Sequence, residues 1–196
     1  MSKLLINFFT KKTAPDIARR FNDLPEQILR RLVYSGEKSI LLVKMNECKS
    51  AIIKKGEVTT IFTDMLTGCN SVCIIAKDTA GNPIAIMTHA MPTEKSIATQ
   101  CNNIDVELER YKSILDKRTI PKVYFNVNER NLDNPIFTSV RNVLNRHFGR
   151  NFKETVVKYQ PVKNHSTANI YEFYPNNLNQ VKITYVGQKS STEALT

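Results

Sequence analysis

Thr63 to Pro92 read TDMLTGCNSVCIIAKDTAGNPIAIMTHAMP, and the middle of this stretch decides the fold. Two apolar, β-branched runs, NSVCIIAKD and NPIAIMTHA, flank the turn DTAGNP, where Gly81 and Pro83 break any continuous element. The pattern predicts two neighbouring strands, most simply a hairpin. Thr63, Gly68 and Cys69 lie on a short turn before the first strand, and His89 lies near the end of the second. Antiparallel pairing would carry His89 back towards Cys69.

That juxtaposition raises a chemical question. A cysteine attacks a carbonyl as thiolate, so a catalytic Cys69 needs a neighbouring imidazole and donors for a developing oxyanion. Gly68 would let the chain turn sharply and approach a substrate, and backbone N–H groups of the turn could converge on one point. The bland alternative is a buried thiol and a histidine that merely share a sheet. The residues alone leave both open.

Working outward, strand-like runs precede the hairpin in KSILLVKM, SAIIKKG and EVTTIFT. An amphipathic helix is expected over 104–117, with Leu108, Tyr111 and Leu115 on one face. PKVYFNVNE reads as a strand. NPIFTSVRNVLNRHFG reads as the clearest helix, with Asn134 as N-cap, Pro135 at N1 and Gly149 at the end. ETVVKYQPV, ANIYEFYP and QVKITYVGQ add three strands, and KSSTEALT is a polar ending expected to be mobile. Near the start, Ile17, Phe21, Leu24, Ile28, Leu29 and Leu32 repeat at helical spacing, and MSKLLINFFTKK reads as a strand or docking arm. The expectation is an α/β (α+β) sandwich of mixed or antiparallel sheets flanked by helices, because most strand connections are too short for parallel crossovers. It is expected to be one domain over 1–188, with an arm and helices over 1–36, a core over 37–188 and a tail over 189–196.

Composition narrows the class. At 196 residues and 41% hydrophobic, the chain can bury a core. No apolar run is long enough for a membrane-spanning helix, and the N-terminal apolar stretch is too short for a secretory signal. Four cysteines, Cys48, Cys69, Cys73 and Cys101, suggest thiols in a reducing compartment. The net charge of +10 suits an acidic protein surface, nucleic acid or acidic membrane and selects none of them.

Other candidates have plain structural readings. Cys69, Cys73, His89 and Cys101 match no usual zinc spacing, so no metal is assigned and Cys48, Cys73 and Cys101 read as core. His165 reads as a loop residue, and His147 as a favourable charge at a helix C-terminus. Asp64 resembles a third member of a triad but equally a turn cap. Arg141 to Lys153, with Arg19, Arg20, Arg30 and Arg31, reads as a solvated or docking face. Nucleic acid is the weaker option, since no recognition motif accompanies the charge.

The turn TDMLTGC resembles the Thr-x-x-Leu-Ser-Gly-Cys signature of Burkholderia lethal factor and is similar to the Gly-Ser-Cys turn of the chemotaxis receptor glutamine deamidase CheD. Cytotoxic necrotizing factors share its Ser-Gly-Cys part. In those proteins a strand, a turn and a second strand lead to the catalytic histidine, and HAMP at His89–Pro92 is similar to the corresponding segment of CheD. The close likeness covers the quoted stretch alone. It implies that Cys69 is the nucleophile, His89 the general base and acid, and Thr63 the group that orients the imidazole. Thr67, Gly68 and Asn70 would then form the substrate and oxyanion side. It further implies a cofactor-free protein glutamine deamidase acting on a glutamine of a partner protein, most simply a bacterial toxin or effector made in the bacterial cytoplasm and acting in a host cytosol. A transglutaminase with the same site, or a non-catalytic basic module, is the alternative. Thr67 stands where the toxins carry Ser, and the longer Cys-to-His interval calls for a longer or more kinked hairpin.

Overall fold

The structure is a computed structural model that describes residues 40–54, 57–63, 66, 68–128, 135–159, 168–174, 176–185 and 191–195. The early helical pattern, the N-terminal arm and Arg19, Arg20, Arg30 and Arg31 lie outside the described residues, as do Asp64, Thr67, Asn134 and His165.

The described strands are β1 (Ile40–Val43), β2 (Cys48–Ile52), β3 (Thr60–Thr63), β4 (Asn70–Lys77), β5 (Pro83–Ala90), β6 (Lys122–Asn128), β7 (Lys153–Tyr159), β8 (Asn169–Tyr174), β9 (Asn177–Tyr185) and β10 (Ser191–Ala194). Helix α1 (Glu94–Tyr111) lies between β5 and β6, and α2 (Ile136–Phe148) between β6 and β7. One sheet runs β1-β3-β8-β9-β10 and the other β2-β5-β4-β6-β7. Both are mixed. In each, one pair is parallel, β1 with β3 and β6 with β7, and the remaining pairs are antiparallel. The β6–β7 pair is parallel because α2 supplies the crossover such a pair needs.

The second sheet is the middle layer. On one face Val72, Ile74, Ile84, Ile86 and Phe125 pack against Ile97, Ile104 and Leu108 of α1 and Val140 and Leu144 of α2. On the other, Cys73, Ile75, Ala85, Met87 and Tyr124 pack against Ile61, Tyr171, Phe173 and Ile183 of the first sheet. The order is therefore helices, sheet, sheet. Burial on both faces explains why β4 and β5 are continuous apolar runs rather than alternating ones.

The hairpin forms as the sequence predicts. β4 and β5 pair in unbroken register from Asn70–Ala90 to Lys77–Pro83, so the long Cys-to-His interval needs length and no kink. Asp78 holds the turn by accepting the N–H groups of Ala80 and Asn82 at 2.9 and 2.7 Å. Gly81 takes φ of 85°, which only glycine adopts without strain.

Four expectations are corrected. Thr63, expected on the turn before the hairpin, ends β3 instead. Pro135, expected at N1 of α2, is its N-cap and makes no side-chain cap bond. The helix expected over 104–117 runs instead over Glu94–Tyr111. It starts earlier because Thr93 caps it, accepting the Ser96 N–H at 3.3 Å. It ends earlier because Asp116 N–H bonds the Lys77 carbonyl at 2.9 Å and Leu115 bridges Asp78, drawing the chain to the hairpin turn. The ending expected to be mobile forms β10, an edge strand on β9, and Leu195 beyond it is buried. An edge strand needs backbone partners more than apolar side chains, so its polar sequence does not oppose it.

Candidate functional site

β3, β4, β5, β6 and β8 all bring a polar residue to one end of the layer between the sheets. Ser71 pairs with His89 on one side and with Asn126 on the other. Thr63 pairs with Asn169 in the facing sheet. Alternation points Ser71, His89 and Asn126 to the same face as Cys73, Met87 and Tyr124. Thr63, Ser71, His89, Asn126 and Asn169 are all buried, none more than 2% exposed.

These groups join the two sheets. Asn169 Nδ2 donates to Ser71 Oγ at 2.5 Å, and Asn126 Nδ2 donates to Asn169 Oδ1. Thr63 Oγ1 donates to the Val43 carbonyl at 2.7 Å and lies 2.8 Å from His89 Nδ1. With its one proton committed to Val43, the hydroxyl must accept from the ring, so Nδ1 carries the hydrogen and Nε2 is the basic nitrogen. Among the described residues His89 Nε2 has no hydrogen-bond partner, nor has Asn126 Oδ1. Burial lowers the His89 pKa to about 4, which keeps the imidazole neutral and able to take a proton.

Cys69 lies one residue before β4. Ser71, two residues on, is the partner of His89, so the chain enters β4 next to the strand that carries the imidazole, and among the described residues no hydrogen bond joins the Cys69 thiol to His89 Nε2. Cys69 belongs to a small cluster with Leu66 and Tyr159, flanked by Met91, separate from both main cores. It is 8% exposed, and burial pushes its thiol pKa up. The resting pair is thus a neutral thiol and a neutral imidazole. Tyr159, at the end of β7, donates its hydroxyl to the Cys69 carbonyl and ties down the turn.

The expected site residues distribute unevenly. Thr63 and His89 are in direct contact through the Thr63 hydroxyl. Gly68 does not take positive φ, and a Cβ there would meet nothing within 4 Å, so the turn itself does not require glycine. What Gly68 leaves is open space. Asn70 is fully buried with both amide atoms unpartnered among the described residues, and alternation directs its side chain to the helix face, away from His89.

Sequence reasoning missed Ser71, Asn126, Asn169 and Tyr159. A polar residue inside a strand ordinarily signals the solvent face. Only the pairing of two sheets turns these positions inward.

The remaining thiols are structural. Cys73 sits between the sheets, Cys101 against the helix face, and Cys48 is half-buried, with pKa raised to about 12 for Cys48 and about 11 for Cys101 by burial. Cys101 and Cys73 lie on opposite faces of the middle sheet, so they and His89 do not converge. Among the described residues no cluster of His, Cys, Asp and Glu could hold a metal ion. No described helix is long and apolar enough to cross a membrane. In the basic stretch, Arg141 makes a two-pronged pair with Glu154 and Arg146 pairs with Asp105. His147, expected to serve the helix end, also reaches across to α1, with Nε2 2.7 Å from Asp105 Oδ1.

No known protein family matches the chain, and no curated protein is similar enough to it to count as a relative.

Proposed function

We propose that the protein is a cysteine-dependent glutamine deamidase, with Cys69 as nucleophile, His89 as base and acid, and Thr63 as the group that sets the ring tautomer. The observation that carries the reading is the buried His89, held through Nδ1 by Thr63, with Nε2 unpartnered among the described residues, on the strand paired with Ser71 two residues from Cys69. A histidine retained only for packing would be expected to satisfy both nitrogens. The resemblance of TDMLTGC and HAMP to the CheD and necrotizing-factor deamidases supports the same assignment.

In this mechanism the neutral thiol passes its proton to His89 Nε2 as sulfur attacks the glutamine carboxamide carbon. Amide hydrogens of the turn at Gly68 and Cys69 receive the oxyanion. The imidazolium returns the proton to the departing nitrogen, ammonia leaves and a thioester remains. His89 then takes a proton from water, hydroxide adds to the thioester, and the thiol is restored as glutamate forms. An amine in place of water would give transglutamination. The neutral resting pair makes proton transfer concerted with attack, unlike a preformed thiolate–imidazolium pair. The target is a protein bearing the glutamine, the site calls for no cofactor, and the setting that suits such chemistry is an effector acting inside another cell.

The test is peptide mapping of a host lysate incubated with wild type, Cys69→Ser or His89→Ala. Gln→Glu conversions found with wild type and missing with both variants support the reading. Conversions that survive Cys69→Ser, or identical maps for all three, contradict it. A basic module without chemistry would instead show binding that survives Cys69→Ser and weakens steeply with salt.

A further inference from the structure

At the head of α1 lies a cleft of about 360 Å³, lined by Asn46, Met91, Ser96, Thr99 and Gln100 among others. Two connections tie it to the site. Met91 lines the cleft and also flanks the Cys69 cluster. The Asn46 N–H donates to the His89 carbonyl at 2.7 Å, fixing the cleft wall to the strand that carries the imidazole.

The wall is built with care at one point. Asn46 takes φ of 63°, an uncommon conformation that asparagine tolerates better than most residues. Its side-chain oxygen accepts from Ser96 Oγ at 2.9 Å, and its carbonyl accepts from Gln100 Nε2 at 2.9 Å. The second bond fixes the orientation of the Gln100 amide, since only the NH₂ end can face a carbonyl. The other end, Gln100 Oε1, is buried and has no partner among the described residues, on a side chain whose residue is 2% exposed.

A helix start ordinarily invites an anion. Here the unpartnered atom is an acceptor, and a buried acceptor is completed by a donor and opposed by negative charge. An amide N–H is the complementary group. Resting on the deamidase reading, we propose that this cleft receives the peptide backbone next to the target glutamine, with Gln100 Oε1 accepting a substrate N–H and Met91 packing beneath the chain. Gln100 thereby aligns the segment whose carboxamide reaches Cys69.

The probe is the capped tripeptide acetyl-Ala-Gln-Ala-amide, titrated by NMR into full-length Cys69→Ser protein so that it is not consumed. Saturable shifts of the Gln100 side-chain amide and the Met91 N–H are expected, with inorganic phosphate leaving both in place. Thr99 is exposed and lines the cleft, and its hydroxyl bonds the Lys95 carbonyl of its own helix, so Thr99→Trp fills the cleft from a position outside the core. In Cys69→Ser/Thr99→Trp protein the peptide shifts should vanish. Peptide shifts absent or confined elsewhere, unchanged by Thr99→Trp, or reproduced by phosphate would overturn the proposal. The two readings fail separately. A cleft that binds in a protein that converts no glutamine sinks the deamidase alone, and a Thr99→Trp enzyme that deamidates at the wild-type rate sinks the cleft alone.

Discussion

Two successive rungs on one face of the middle sheet differ completely. Cys73, Met87 and Tyr124 form an apolar rung, with Cys73 and Met87 fully buried and Tyr124 1% exposed. One pleat further along, Ser71, His89 and Asn126 form a polar one, equally sealed from solvent. Same strands, same layer, opposite chemistry. The first rung is what a sandwich core needs. The second costs stability, because buried polar atoms without partners forfeit about 1–3 kcal/mol each. Two such atoms, His89 Nε2 and Asn126 Oδ1, sit in it. A rung that expensive, near a thiol and an open turn, is what the proposed site would need, although unpartnered buried atoms also occur elsewhere among the described residues, at Asn70, Thr88 and Tyr171.

Substitutions should separate the rungs by what they damage. His89→Ala is expected to lower deamidation by about 10²–10⁴-fold, the usual worth of acid–base catalysis, and Met87→Ala to leave the chemistry of folded protein near wild type. Initial-rate assays on folded protein, once a substrate is mapped, decide this. Comparable losses in both variants would dissolve the distinction.

In stability the order reverses. Met87→Ala should cost about 2–5 kcal/mol in denaturant unfolding through its cavity. Asn169→Ala, which strips partners from Ser71 and Asn126, should cost about 1–3 kcal/mol.

The polar rung should also respond to acid. A free imidazole protonates near 6.5 and the buried His89 only near 4, so between those values the unfolded chain binds more protons. His89 therefore contributes fully above pH 6.5, and that contribution declines as pH falls towards 4, by about 3 kcal/mol in total. The difference in pH dependence between wild type and His89→Gln isolates this contribution. Parallel curves would mean that the ring is not held neutral.

The smallest effect belongs to the turn. Tyr159→Phe removes the hydroxyl on the Cys69 carbonyl and should cost about 1 kcal/mol, with faster Cys69 alkylation by iodoacetamide as the turn loosens. An unchanged alkylation rate would show that the turn does not depend on Tyr159.

The hairpin was legible because its signals are local: two β-branched runs, Gly81 at positive φ, and Asp78 gathering the turn amides. Helix α2 was legible for the same reason, with Gly149 at its C-cap, although Pro135, read as the first helical residue, is its N-cap and makes no side-chain cap bond. The head of α1 was not, because Glu94 to Gln100 carries few apolar residues and its start is set by Thr93 and by contacts with the Asn46 turn. Likewise β10 takes its place from hydrogen bonds to β9, which leave no mark on composition. Thr63, Cys69 and His89 stood out as chemical types at suggestive positions. Asn126 and Asn169 did not, since their inward direction exists only once a second sheet covers the first.

The central claim is that His89 is a neutral base with its hydrogen on Nδ1 and Nε2 ready for the Cys69 proton. Side-chain ¹⁵N NMR of His89 across a pH titration measures this directly. The account predicts an Nδ1–H tautomer that persists below pH 6.5 and protonates near 4. A hydrogen on Nε2, or a titration near the ordinary histidine value, would contradict it.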